Sequence, residues 1–289
     1  MSSSQISIVG PRVSDPLPTV EAWANRLASL DIPVLGSTAE SLENMRAEED
    51  DIDAHSMAEA MSSDPLMTLK ILVHAGSHQG KRVVTDAETV TEALVMMGIS
   101  PFFRAFGPQP TVEAWLADEL TALAALKRTV RRTHRGANLA LAFAVHRMDP
   151  DAVTVHAVAL LHEFAESLLW CHAPGLQLQI AAMQKEHPTL RSTAAQEQIL
   201  NVTVRDLQIA LSRRWHLPSL LAQPDGSRHL DDTKVRTIEL AARLARHLSL
   251  GWNSVAVGAD ISELTALLNL SVPAAEQLVR DVWDGLEGD

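Results

Sequence analysis

A single cysteine, Cys171, occurs in the 289 residues. One thiol excludes an internal disulfide and a cysteine-based zinc knuckle. Positive charge is also scarce: 24 Lys and Arg face 36 Asp and Glu, a net charge of −12 with histidine neutral. Binding duplex nucleic acid requires a basic surface that releases counterions, so that class is set aside, although a local basic patch is compatible with the total. Uninterrupted apolar runs stay short of the roughly 18 residues that a membrane span needs. Residues 1–6 lack the basic start and apolar stretch of a signal peptide. The chain contains no Gly-x-Gly-x-x-Gly, no phosphate loop ending in Gly-Lys-Ser/Thr and no Gly-x-Ser-x-Gly. Those absences remove the dinucleotide, P-loop and nucleophile-elbow readings. A cytoplasmic protein without membrane contact is expected.

Hydrophobic residues make up 46% of the chain, which is ordinary for a globular protein and enough for one large or two medium domains. Nearly every periodic segment reads as helix and none alternates as a strand, so the fold class is all-α. Residues 1–17 read as a loose leader, and residues 18–30 as a short amphipathic helix with Val20, Trp23 and Leu27 on one side. Ile32-Pro33-Val34-Leu35 is an extended lead-in, followed by a helix over 38–46 and a solvated acidic run at 48–51. A helix over 53–62 carries Met57 and Met61. Ser63-Asp64-Pro65 starts the next one, with Asp64 as cap and Pro65 in the first turn. Leu66, Leu69, Leu72 and Val73 form its apolar face, and Gly76 is expected to end it. Thr85 with Glu88 reads as a capping box for a helix through Met97, with Gly98 beyond it as a C-cap.

A long helix is expected over 111–146, with a break near Gly136, and another from Asp149-Pro150 to Ala173-Pro174-Gly175. Helices near 175–185, 192–200 and 204–215 follow, the last opened by Thr203 and Asp206. Gln223-Pro224-Asp225-Gly226 is a turn, and helices over 232–249, 260–269 and 272–286 complete the chain. The expected organisation is a leader with a short helix at 1–30, an N-terminal helical subdomain at 31–110 and a second helical subdomain at 111–289.

Two sets of residues could carry chemistry. Lys127, Arg128, Arg131, Arg132 and Arg135 recur at i, i+1, i+4, i+5 and i+8, which places all five on one helix face. Such a face could receive a phosphate, a nucleotide or an acidic partner surface; the plainer reading is a solvated face paired with the chain's own carboxylates. The second set is His134 upstream of the dyad His162-Glu163, in Leu160-Leu161-His162-Glu163-Phe164-Ala165. In metal phosphohydrolases of the HD type, a His-Asp dyad, an upstream His and a downstream Asp hold divalent metal. Here Glu163 replaces the dyad Asp, and its extra methylene shifts the carboxylate by about a bond length. Metal geometry tolerates only a few tenths of an ångström. The nearest downstream carboxylate, Asp206, suits a helix first turn better. The plainer reading is a half-buried helix histidine beside a pairing glutamate. The remaining histidines, His156 among them, are scattered, and Cys171 reads as a buried helix end. No catalytic residue, metal or cofactor is expected.

Several segments together resemble the HDOD family, bacterial regulatory domains related to HD phosphohydrolases that generally lack their metal ligands. Ile32-Pro33-Val34-Leu35 is similar to the family's opening. Residues 57–72, through Ser62-Ser63-Asp64-Pro65-Leu66, resemble its most specific segment. The helix carrying Gly98-Ile99, the dyad region at 158–165 and Leu211-Ser212-Arg213-Arg214-Trp215-His216-Leu217-Pro218 match in turn. Ala75-Gly76-Ser77 stands where relatives often carry Asn-Ser, and Gln223-Pro224-Asp225 where they carry a His pair. The resemblance covers about residues 30–250. It implies an HDOD-like helical bundle with a degenerate HD-like subdomain, acting as a non-catalytic signalling scaffold through an unidentified protein partner. Two alternatives accompany it: a nucleotide or small-anion sensor using the basic helix face, and a residual metal-dependent phosphohydrolase.

Overall fold

The computed structural model describes residues 12–78, 87–222 and 232–285. Among these residues every regular element is helical, and extended backbone pairs only at an isolated parallel bridge between Val34 and Thr111. Helix α1 (Val20–Ala28) starts at Thr19, whose hydroxyl accepts the Ala22 N–H, and buries Trp23, Ala24 and Leu27. Helix α2 (Gly36–Ala47) follows the extended lead-in. The acidic run forms a 3-10 turn at Glu49–Asp51. Helix α3 (Ala54–Met61), capped by Asp53, buries Met57 and Met61 as the sequence spacing requires.

Helix α4 (Pro65–His78) begins at the Ser-Asp-Pro segment. Asp64 is fully buried. Its Oδ1 accepts the N–H groups of Leu66 at 2.8 Å and Met67 at 3.2 Å, while Oδ2 accepts the N–H of Leu35 at 2.8 Å. One carboxylate therefore caps α4 and fastens the 32–35 segment to it. Burial pushes the Asp64 carboxyl above its usual range, against the pull of these donors. Gly76 does not end the helix. It lies inside α4, where a Cβ would come within 2.5 Å of the Trp215 carbonyl oxygen, so it permits a close approach rather than a stop.

Helix α5 (Val90–Met97) is opened by a capping box of Thr89 and Glu92. That box replaces the expected one at Thr85 and Glu88; Thr85 lies outside the described residues. Gly98, with φ of 82°, separates α5 from α6 (Ile99–Ala105), a left-handed backbone that glycine adopts without strain. The helix expected over 111–146 is two helices, α7 (Val112–Trp115) and α8 (Leu120–His146), and the break falls at 116–119 rather than at Gly136. The run expected from Asp149 to Ala173 is likewise divided, into α9 (Ala152–Leu160) and α10 (Phe164–His172). Helices α11 (Pro174–Glu186), α12 (Ser192–Leu200) and α13 (Val204–Arg214) lie close to their expected ranges. So do α14 (Asp232–Leu248) and α16 (Val272–Gly285), while α15 (Val255–Leu268) starts earlier than expected. The turn expected at Gln223-Pro224-Asp225-Gly226 lies outside the described residues.

The described residues fall into two compact units, each drawing on two stretches of chain. The first takes those within Met1–Thr129 and Glu163–Ala222, the second those within Val130–His162 and Gln223–Asp289. In the first unit α1 packs on α13, α3 and α4 on α5, and α10 on α4, α11 and α13. Two indoles pin long-range contacts there: Trp23 Nε1 donates to the Leu200 carbonyl at 2.9 Å and Trp115 Nε1 to the Cys171 carbonyl at 3.1 Å. Each buries a large apolar body while satisfying its one polar group.

In the second unit α14 packs on α9 and α15, and α15 on α16. Gly136 of α8 lets the helix approach α14, where a Cβ would meet Ala245 Cβ at 3.4 Å and Ala242 Cα at 3.5 Å. Asp260 is buried between two residues one turn apart on α14: Arg243 Nε at 2.7 Å and His247 Nδ1 at 2.5 Å. Arg243 also pairs with Glu263. The stretch Ala152–His172 is long and apolar enough to cross a membrane, but most of it is buried in the protein, as core helices are.

Candidate functional site

The basic face of α8 is not uniform. Lys127 Nζ stands 2.8 Å from Glu113 Oε1, and both side chains remain partly exposed, a type of pair that contributes about 0–1 kcal/mol. Arg135 is half-buried, with its guanidinium 4.6 Å from the centroid of the Trp283 ring on α16, a cation–π contact. Arg132 is half-buried, whereas Arg128 and Arg131 are exposed. Helical periodicity therefore put the five cations on one face, while neighbouring elements occupy its two ends. Lys127 and Arg128 belong to the first unit, and Arg131, Arg132 and Arg135 to the second.

The dyad positions lie at the break between α9 and α10. The last turn of α9 tightens: Leu161 N–H reaches both the Ala157 and Val158 carbonyls, and His162 N–H reaches Ala159. Such i-to-i+3 bonds wind a helix end down when no side chain caps it. His162 is half-buried and falls in the second unit. Glu163 is buried, falls in the first unit and starts α10, with its carbonyl accepting the Ser167 N–H at 3.2 Å. His134 projects from α8, where Asn138 Nδ2 donates to the His134 carbonyl at 3.0 Å and stands 3.4 Å from its Nε2.

One of the scattered histidines, His156, stands near His134. Burial pushes His156 of α9 down to about 4, and the charge of His134 pushes in the same direction. Their proximity depends on how α8 and α9 pack, and spacing along one helix carries no trace of it. Asp206 is used as the sequence suggested: it sits in the first turn of α13, where its N–H donates to Thr203 Oγ1 at 3.0 Å and its Oδ2 accepts from that hydroxyl at 2.7 Å. Among the described residues, no three His, Cys, Asp or Glu side chains stand close enough to share a metal ion. Cys171 is fully buried, and burial raises its thiol pKa, which keeps it protonated and unreactive. His172 beside it is also buried and is pushed down to about 4, chiefly by burial, while it packs edge-on against Trp115.

The sequence matches the HDOD domain family over residues 32–229. No curated protein matches the chain. Among solved structures, it is similar to the MmoQ response regulator of Methylococcus capsulatus str. Bath, with 18% identity, covering 86% of this chain and 98% of that one at a TM-score of 0.63. It is also similar to a virulence factor (cj0248) of Campylobacter jejuni subsp. jejuni, with 17% identity, covering 92% of this chain and 99% of that one at a TM-score of 0.62. At such identities the likeness concerns the fold.

Proposed function

This chain belongs to the HDOD family, and on that premise we propose that it is a non-catalytic regulatory scaffold that acts in signal transduction through contacts with a protein partner. The observation that carries the reading is the state of the HD-like positions. Glu163 stands where the metal-binding dyad has Asp, Asp206 is engaged in capping α13, and no three metal-type side chains cluster among the described residues. A response regulator with the same fold supports the signalling part of the proposal. The exposed pair Arg128 and Arg131 is the proposed contact for an acidic patch on the partner, since the ends of the basic face are taken up by Glu113 and Trp283. The same engagement disfavours a nucleotide or small-anion site spread over all five cations. We place the protein in the cytoplasm, without duplex nucleic acid or membrane as a partner.

Purified full-length protein should show no phosphodiesterase or phosphatase turnover with Mn, Mg, Fe or Zn. Metal-dependent turnover that disappears in His162→Ala would overturn the scaffold reading in favour of a residual phosphohydrolase.

A further inference from the structure

The first unit contains a groove of about 470 Å³, within the size range of small-molecule sites. It lies between residues 30–32, one face of α4 and the 105–110 segment. Leu30, Ile32, Val73, Phe106, Pro108 and Pro110 give it apolar walls. His74 adds an aromatic surface, its ring packed against Phe106 with centroids 5.0 Å apart.

A fixed ion pair interrupts this lining. Lys70 Nζ stands 2.7 Å from Asp31 Oδ1 and donates to the Ile32 carbonyl at 3.0 Å. An ammonium has three donors, so one N–H of Lys70 is left for a further acceptor. Asp31 Oδ1 already takes this ammonium and the Ile32 N–H at 2.8 Å, which leaves Oδ2 for a further donor. Lys70 is mostly covered, its side chain 16% exposed, so the ammonium is held in place rather than waving in solvent. The groove thus presents a fixed cation beside a half-exposed carboxylate, and the rest of its lining is apolar apart from His74, Ser77 and Gln109.

A free α-amino acid carries the complementary pair. Its ammonium and carboxylate are separated by one carbon, so they can lie antiparallel on Asp31 and Lys70, each against its opposite charge. The side chain then falls on the walls formed by Leu30, Ile32, Val73, Phe106, Pro108 and Pro110, and beyond Asp31 and Lys70 the lining has no Asp, Glu, Lys or Arg to pair with a second charge. We propose that this groove binds free α-amino acids with a large apolar or aromatic side chain. The site is separate from the basic face of α8, and it stands or falls independently of the scaffold reading. Because the ion pair is partly solvated, the affinity is modest, about millimolar.

The test uses the full-length chain, with isothermal calorimetry and thermal unfolding in parallel. The probes are L-phenylalanine, L-leucine, L-lysine, L-glutamate and N-acetyl-L-phenylalanine amide, which lacks both terminal charges. L-Phenylalanine and L-leucine should give saturable one-to-one binding and raise the unfolding midpoint, while the other three should do neither. Asp31→Asn should weaken L-phenylalanine binding about tenfold or more, the size of one lost charged contact. Val73→Trp, which fills the groove from a half-buried position, should abolish binding. Failure of both apolar amino acids to bind overturns the proposal. So does equal binding of the blocked amide, or unchanged affinity in Asp31→Asn.

Discussion

The first unit hides its polar groups, whereas the second uses charged ones to join its helices. In the first, Asp64, Trp23, Trp115 and His172 are buried, and most of their polar atoms are matched to backbone. In the second, Asp260 is gripped by Arg243 and His247, and Arg135 lies over Trp283. Polar groups buried against backbone leave no alternative partner when one side is removed, whereas the partly exposed Arg243, His247 and Arg135 fall back on water and only Asp260 is buried among them. Single substitutions should therefore do far more damage in the first unit than on the charged surfaces.

The sharpest way to break this comparison is Leu69→Asp. Leu69 is fully buried on α4, and an unpaired charge there costs several kcal/mol or forces a pKa shift. Loss of the folded baseline by circular dichroism is the expected result; an unchanged melt would refute the apolar-core account of this unit. Asp64→Ala comes next. It strips the acceptor from three N–H groups at once. The expected loss is about 3 kcal/mol, combining a missing cap with buried unsatisfied donors, and urea denaturation would measure it.

Acid should affect both units, through different histidines. His172 in the first and His156 in the second are each lowered by burial from 6.5 to about 4. Above 6.5 both imidazoles are neutral folded or unfolded, and nothing is lost. As pH falls from 6.5 towards 4, only the unfolded chain takes up these protons, so stability drops by up to about 3 kcal/mol per residue. Replacing His172 with Phe and, separately, His156 with Gln should each flatten the acid limb of a stability-versus-pH curve. A curve unchanged in either variant would remove that residue from the account. The smallest effect is expected for Arg128→Glu with Arg131→Glu: stability within about 0.5 kcal/mol per site, with weaker partner binding and a reduced salt dependence. Unfolding of this double variant would show that the exposed arginines hold the fold together.

Signals that act within a few residues were legible in the sequence. The caps at Asp64 and Thr203, the Met57 and Met61 face and the α1 stripe depend on neighbours along the chain, and each stands where expected. The glycines were read less well. Gly76 and Gly136 look like helix stops in sequence, but each is a place where another backbone comes close, and its partner lies far along the chain. The α9–α10 break was invisible because residues 152–172 are apolar on almost every side and carry no proline or glycine to punctuate them. Helical periodicity supplied the all-α class, the residues around His134 and His162-Glu163 supplied the HD-like positions, and the HDOD resemblance supplied the type of bundle. The nearness of His156 to His134, and the Asp31–Lys70 pair in its groove, arise only once separate segments are folded together.

The hydrogen bond from Trp23 to Leu200 joins residues 177 positions apart, and this separation sets a clock on synthesis. Ribosomes add about 5–20 residues per second, so α1 emerges on the order of ten to thirty-five seconds before its indole's acceptor exists. During that interval Trp23 and Leu27 have no α13 to cover them. The nascent chain must carry the unfinished apolar stripe of α1 until almost the whole first unit has been translated. Chaperone capture is therefore expected to concentrate on α1, and a stalled chain ending before α12 should remain protease-sensitive there.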